Sequence, residues 1–338
     1  MNVISNRGLP LWLLASCAIA ATPAKAEMAL TDINFELAQI ELAPAVVEPA
    51  GAEVVPLSLT SAAVSSELAL QDAQSAGLPA ADDPRRLSFG AHFESVKYEM
   101  GAAFAYMTAI NLLKIARRGH IDSFSFHDEG WFGKDTEVLG VDKMVHAHNS
   151  YILSELIGAR IRKKTGTTRG TAVSGALLAT GFMLYSEIYD GFKGGFGAQD
   201  LVFNSLGAGF SVLRNTVPGL EDKLDFRVII IPNRKIYSPT GKEHYRQQRH
   251  LFALELGGFK RFERSPLRFV ELHAGYYGKG FTDREQARGD SLQRKLFAGV
   301  GLNLNELFFG RSPKTRFART ASQVLDYWQP PYTYVHAD

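Results

Sequence analysis

Residues 171–192 read TAVSGALLATGFMLYSEIYDGF, and this stretch decides the fold class. Apolar residues run almost unbroken from Ala172 to Tyr185. That is longer than a strand and suits a buried helix. Gly175, Ala176, Ala179 and Gly181 crowd it with small side chains, which let a second helix approach closely, in a membrane or in a tight soluble bundle. Its only acids, Glu187 and Asp190, come at the end, at i,i+3 spacing and so on one side of a helix. Ionised carboxylates closing so apolar a helix are costly unless they are paired or bound to a metal.

Working outward, the helical pattern extends from His92 to Pro218. His92 to Ala116 carries an apolar stretch, Met100 to Leu113, and ends in Arg117 and Arg118, where cations suit the helix dipole. Val141 to Lys164 is amphipathic, and Gln199 to Asn215 precedes Pro218. The uninterrupted apolar runs reach roughly 14 to 16 residues, short of the ~20 that a membrane span needs. Two readings therefore stay open, a compact bundle, either soluble or membrane-associated, and an embedded one. After Glu221 the period changes to two, in Phe226 to Ile231, Leu251 to Phe259, Phe269 to Tyr277 and Leu296 to Leu304. In the last of these, Leu296, Ala298, Val300 and Leu302 point one way and Phe297, Gly299 and Gly301 the other, the pattern of a half-buried antiparallel strand. Some four strands make a small meander, too few to close a transmembrane barrel alone. The predicted class is α+β, an N-terminal four-helix bundle associated with a membrane, followed by that meander. Helical residues occupy 86–220, strands 221–310, and a helix with an aromatic tail 311–338.

The first 85 residues read differently. Arg7, the apolar run Leu9 to Ala21 and the small-x-small site Ala24-Lys25-Ala26 have the form of a secretory signal in residues 1–26. A second reading is lipidation, since Leu14-Ala15-Ser16-Cys17 fits the lipoprotein pattern and Cys17 is the chain's only cysteine. On either reading the mature body has no disulfide to hold it. Residues 27–85 form a Pro-punctuated, acidic, Ala-rich arm read as disordered. Net charge is +2 over the chain, but ten acids and no Lys or Arg fall between Glu27 and Pro84, which leaves +10 on residues 85–338. A basic body on an exported chain points to anionic lipid or an envelope protein as partner, and export argues against nucleic acid. The basic stretch Arg160, Arg162, Lys163, Lys164 with Arg169 is the candidate lipid-facing surface.

Three predicted helices each carry a polar pair on one face: Asp142 with His146, Glu187 with Asp190, and Asp200 with Asn204. Lys143 stands beside Asp142 as a ready counter-ion. Satisfying one another, these seven residues make a buried network that fixes helix register. The competing reading takes His146, Glu187 and Asp190 as ligands of a divalent metal. In that reading Asp142, His146, Glu187 and Asp190 are candidates for acid–base or metal-assisted catalysis on an envelope lipid or glycan. Against catalysis stand the absence of HExxH, GxSxG and a phosphate-binding glycine loop; Gly191, Gly194 and Gly195 lack the Walker order and read as a helix end. The balance favours a non-enzymatic protein with no cofactor.

The ordered pieces Gly140-Val-Asp142-Lys143-Met-Val-His146, Glu187-Ile-Tyr-Asp190 and Asp200-Leu-Val-Phe-Asn204-Ser-Leu-Gly207 resemble the YfiM-like family of predicted periplasmic or outer-membrane lipoproteins, a domain of unknown function. Glu129-Gly130-Trp131-Phe132 and the strand-rich C-terminal part resemble its longer members. A more distant similarity is to VanZ-like small membrane proteins. The resemblance covers about residues 125–305. It implies a cell-envelope location in the periplasm or outer membrane, with the inner membrane as the alternative, and it favours lipidation of Cys17. It implies no activity.

Overall fold

The structure, a computed structural model, describes residues 87–232, 237–238, 241–310 and 315–337. The signal segment, Cys17 and the acidic arm lie outside the described residues. Helix α1 (Phe89–Arg118) begins where the Ser88 hydroxyl accepts the Ala91 N–H at 3.2 Å, and ends at Gly119 in the left-handed conformation. A two-residue strand β1 (Phe126–His127) pairs in parallel with β2 (Phe196–Gly197). Between them in sequence come α2 (Val141–Thr165) and α3 (Thr171–Gly191), and after them α4 (Ala198–Thr216).

Helix α2 is the centre of the molecule. Its Leu153, Ile157 and Ile161 pack with Val96, Met100 and Met107 of α1 and with Ala179, Phe182 and Met183 of α3. Its Ala147 and Tyr151 pack on Phe226 of the sheet, and Val141 joins Tyr276 and Phe281. The helices are therefore not a bundle standing apart from the strands: one helix is core to both. Glycine sets how closely its neighbours approach. A Cβ on Gly207 of α4 would stand 1.8 Å from the Ala147 carbonyl oxygen, and one on Gly175 of α3 would stand 2.6 Å from the Ser154 carbonyl oxygen. Gly181 and Gly209 face open space. Among the described residues α3 is the one helix long and apolar enough to cross a membrane, and half of that apolar window is buried in the protein.

The sheet is an antiparallel meander of β3 (Leu224–Ile230), β4 (Gln248–Glu255), β5 (Val270–Lys279), β6 (Gln293–Leu302) and β7 (Tyr334–Ala337). Short helices α5 (Gly241–Arg246), α6 (Asp283–Ala287), α7 (Leu304–Phe308) and α8 (Arg316–Leu325) occupy the connections. The C-terminal tail, expected as a helix with an aromatic end, supplies more. After α8 it lies along the free edge of β3, where the Val228 N–H donates to Tyr327 O at 2.9 Å and the Gln329 N–H to Val228 O at 3.0 Å. It then crosses to pair β7 with β6, so it seals both edges of the meander.

The alternation seen in β6 is real, but its buried side is the Phe–Gly row. Phe297 is buried while Leu296, Val300 and Leu302 are exposed. The reason lies on distant strands. Arg227 is buried in the curl of the sheet, bonded to Asp225, Glu255, Glu271 (2.9 Å) and Gln329 (2.8 Å). His273 joins Glu271 at 2.9 Å and His336 at 2.8 Å, and the His336 ring stacks on Phe297 with centroids 4.4 Å apart. Gly301 lets the His273 ring in, since a Cβ there would stand 2.4 Å from it. The inner side, which Phe297 shares with Ile229, Leu251, Ala253 and Tyr277, thus also holds these charged and histidine side chains, and the Leu296–Leu302 row faces outward.

Two outcomes follow for stability. Gly207→Val drives a side chain into the α2 backbone, so urea unfolding should show a loss of about 3 kcal/mol or more, at the upper end of overpacking costs, whereas Gly209→Ala should leave the midpoint nearly unchanged. His148, buried, donates from Nε2 to Tyr327 O at 3.2 Å. Burial lowers its pKa from 6.5 to about 4, against opposing backbone hydrogen bonds from Tyr327 and Phe226. The unfolded chain takes up a proton there below 6.5 and the folded protein does not until about 4. Stability is therefore full above that upper value and falls with pH between the two, by about 3 kcal/mol for this one group. Unfolding measured across this window should show a shallower loss in His148→Gln.

Candidate functional site

The N-terminus of α2 meets α3, α4 and the 122–140 loop in one polar cluster. Its centre is Lys143, whose side chain is 1% exposed. Its Nζ lies 2.5 Å from Glu129 Oε2, 2.9 Å from Asp142 Oδ2 and 2.7 Å from Asp200 Oδ1. Burial opposes the charge, yet the fields of Asp142, Asp200 and Glu129 outweigh it and raise the pKa, so the ammonium stays protonated. The loop reaches Lys143 because Gly140, with φ 78°, passes under it: a Cβ there would stand 2.5 Å from Trp131 O and from the Phe132 ring. Trp131 and Phe132 then pack on Phe203 of α4, and the Gln199 side-chain amide donates to Asp128.

One turn along α2, His146 lies between α3 and α4 with its side chain 25% exposed. Its Nδ1 is 3.5 Å from Glu187 Oε1 and its Nε2 is 3.6 Å from Asp200 Oδ2. Asn204 Oδ1 faces Nδ1 at 3.3 Å. Burial lowers the His146 pKa, but Asp200, Glu187 and Asp142 together outweigh it, and the net direction is up. Glu187 is 3% exposed. Burial pushes its carboxyl up to about 8, with Asp200, Asp190 and Glu129 adding to the rise and His146 opposing it. The arrangement can hold a proton between His146 and Glu187, or present imidazole and carboxylate together to a cation.

Five of the six residues read from helical spacing meet here, Asp142, His146, Glu187, Asp200 and Asn204, together with Lys143, the neighbour of Asp142. Asp190 turns elsewhere. Its carboxylate accepts from Lys193 Nζ at 2.9 Å, Lys193 also reaches Asn111 at 2.9 Å, and the Asp190 carbonyl accepts the N–H groups of Lys193, Gly194 and Gly195 that close α3. Among the described residues two trios of donor atoms converge within 4.8 Å: Glu129, Asp142 and Asp200, which surround Lys143, and His146, Glu187 and Asp200, in which Asp200 takes the place expected of Asp190. Glu129 is a member that helical spacing cannot find, because it sits on a loop.

The basic stretch is also drawn inward in part. Arg160 donates twice to buried Glu99, at 2.9 and 2.6 Å, Lys164 pairs with the same carboxylate, and Arg162 reaches Asn215 at 3.4 Å. Lys163 is exposed, and Arg169 is half-buried.

Residues 128–216 match the family described as predicted periplasmic lipoprotein (DUF2279). The match opens on the loop carrying Glu129 and closes at the end of α4, so it holds every residue of the cluster and leaves the sheet outside. The description of that family supports a periplasmic, cell-envelope location for this chain. No curated protein and no solved structure matches the chain.

The two carboxylates that hold Lys143 across elements differ in burial, at 7% exposure for Asp200 and 34% for Glu129. Asp200→Asn should therefore cost about 3 kcal/mol in chemical unfolding, and Glu129→Gln about 1 kcal/mol or less.

Proposed function

We propose that this chain is a non-enzymatic periplasmic envelope protein that lies against a lipid surface by its apolar exterior, anchored through a lipid on Cys17. One observation carries the reading: several charged groups are buried against one another while rows of aliphatic residues face out. On β6 and β7 these are Leu296, Val300 and Val335, at 79%, 47% and 74% exposure. On α4 they are Val202, Leu206 and Leu213, and on α3 Val173, Leu177 and Ile188, with no charged residue among the exposed positions of α4. The α4 and sheet surfaces meet where Phe210 packs on Phe252, ring centroids 5.3 Å apart. Scattered exposed apolar residues are ordinary, but contiguous charge-free rows are the form of a surface that meets lipid or a partner. The supporting argument for lipid is the lipoprotein description of the matched family, whose acyl anchor would hold this exterior at a bilayer. The basic stretch contributes less than its sequence implies, since Arg160 and Lys164 are spent on Glu99.

A second reading, acid–base chemistry on an envelope lipid or glycan, draws on the Glu187 carboxyl lying near neutral pH beside a solvent-reachable His146. Lipid contact is separable from it. In vesicle flotation, the chain carrying Cys17→Ser should float with zwitterionic and anionic vesicles alike, and high salt should change little. Leu206→Asp with Val300→Asp should weaken flotation about tenfold or more, as the loss of two buried aliphatic side chains implies. No flotation, or flotation only with anionic lipid at low salt, would contradict the reading.

A further inference from the structure

We propose that His146, Glu187 and Asp200, completed by Asn204, bind one divalent transition cation of the zinc or manganese class. Three helices contribute the ligands: α2 the imidazole, α3 one carboxylate, α4 the other carboxylate and the amide. The gaps of 3.5 Å from His146 to Glu187 and 3.6 Å to Asp200 are long for hydrogen bonds. A single ion takes one ring nitrogen of His146, and one such nitrogen with one carboxylate oxygen each from Glu187 and Asp200 lies within 4.8 Å of one another, a spacing that side-chain rotation closes to the roughly 3–3.5 Å between donors bonded at about 2.0–2.2 Å.

Asn204 gives an independent pointer. It is 0% exposed, its Oδ1 faces His146, and its Nδ2 has no acceptor among the described residues. A water or hydroxide on the cation would accept from that amide. Asp200 is divided to suit two cations: Oδ1 goes to Lys143 at 2.7 Å and Oδ2 turns toward His146. Lys143 is the one ammonium set among Glu129, Asp142 and Asp200, so with Glu187 the cluster holds more acid than base. A divalent ion offsets that excess. Imidazole mixed with carboxylate oxygen selects the zinc and manganese class over calcium, which takes oxygen alone.

The test is calorimetric titration of Zn²⁺ and of Mn²⁺ into the purified, chelator-treated mature chain, with thermal unfolding alongside. Wild type and Asp190→Asn should bind one equivalent of at least one of these ions and gain Tm on binding. Glu187→Gln, which keeps the shape of the protonated acid and so the fold, should bind at least about 100-fold more weakly and gain no Tm. His146→Ala should behave alike. No binding by wild type to either ion, or undiminished binding by folded Glu187→Gln, would overturn the proposal. Flotation of Glu187→Gln with vesicles should be unchanged, which separates this site from the lipid-contact reading.

Discussion

A single buried ammonium holds the polar centre of this protein together. Lys143 cannot leave its position without stranding three carboxylates, and each of these belongs to a different stretch of chain: Glu129 to the 122–140 loop, Asp142 to the start of α2, Asp200 to the start of α4. Removing one partner of such a set leaves a buried charge uncompensated, which costs far more than the intact set contributes. The interaction therefore acts as a registration device. It fixes how far α4 slides along α2, and that in turn decides which residues of α3 and α4 face His146.

The same logic repeats outward from that centre. Glu155 of α2 accepts from Ser211 at 2.8 Å and from Asn215 at 2.5 Å, both on α4. Arg214 of α4 reaches Asp225 of β3 at 2.7 Å, and Arg227 gathers the acids inside the curled sheet. Glu99 of α1 takes Arg160 and Lys164 of α2. These packings carry buried polar ties beside their apolar cores, and part of the aliphatic surface is left on the outside. An exterior of that kind is tolerable where lipid replaces water. The interior is tolerable because its charges are paired.

Much of this was legible in the sequence, for local reasons. The helices announce themselves by period and stop at glycines: Gly119 and Gly166 both take the left-handed conformation and donate back into the last turn. The change of period after Glu221 is equally local. Five cluster residues were legible because i,i+3 and i,i+4 spacing is a property of one helix, and Lys143 because it adjoins Asp142. What could not be read depends on distant chain. Spacing put Asp190 beside Glu187, and its replacement by Asp200 rests on where Gly207 lets α4 cross α2 and on Lys193 claiming Asp190. Glu129 has no period to betray it. Alternation in β6 gave the period but not its sign, which His273 and His336, brought from β5 and β7, decide. The four residues of β7 are too short a strand to signal at all.

The most direct test of the registration role is a double-mutant cycle on Lys143→Met and Asp200→Asn, read by chemical unfolding of the mature chain. If the buried ammonium organises α2 and α4, each single change is costly. The double variant then loses less than the two singles together, with a coupling of about 2 kcal/mol or more. Additive losses would mean that the two side chains act independently, and the account of Lys143 as the organising contact would fail.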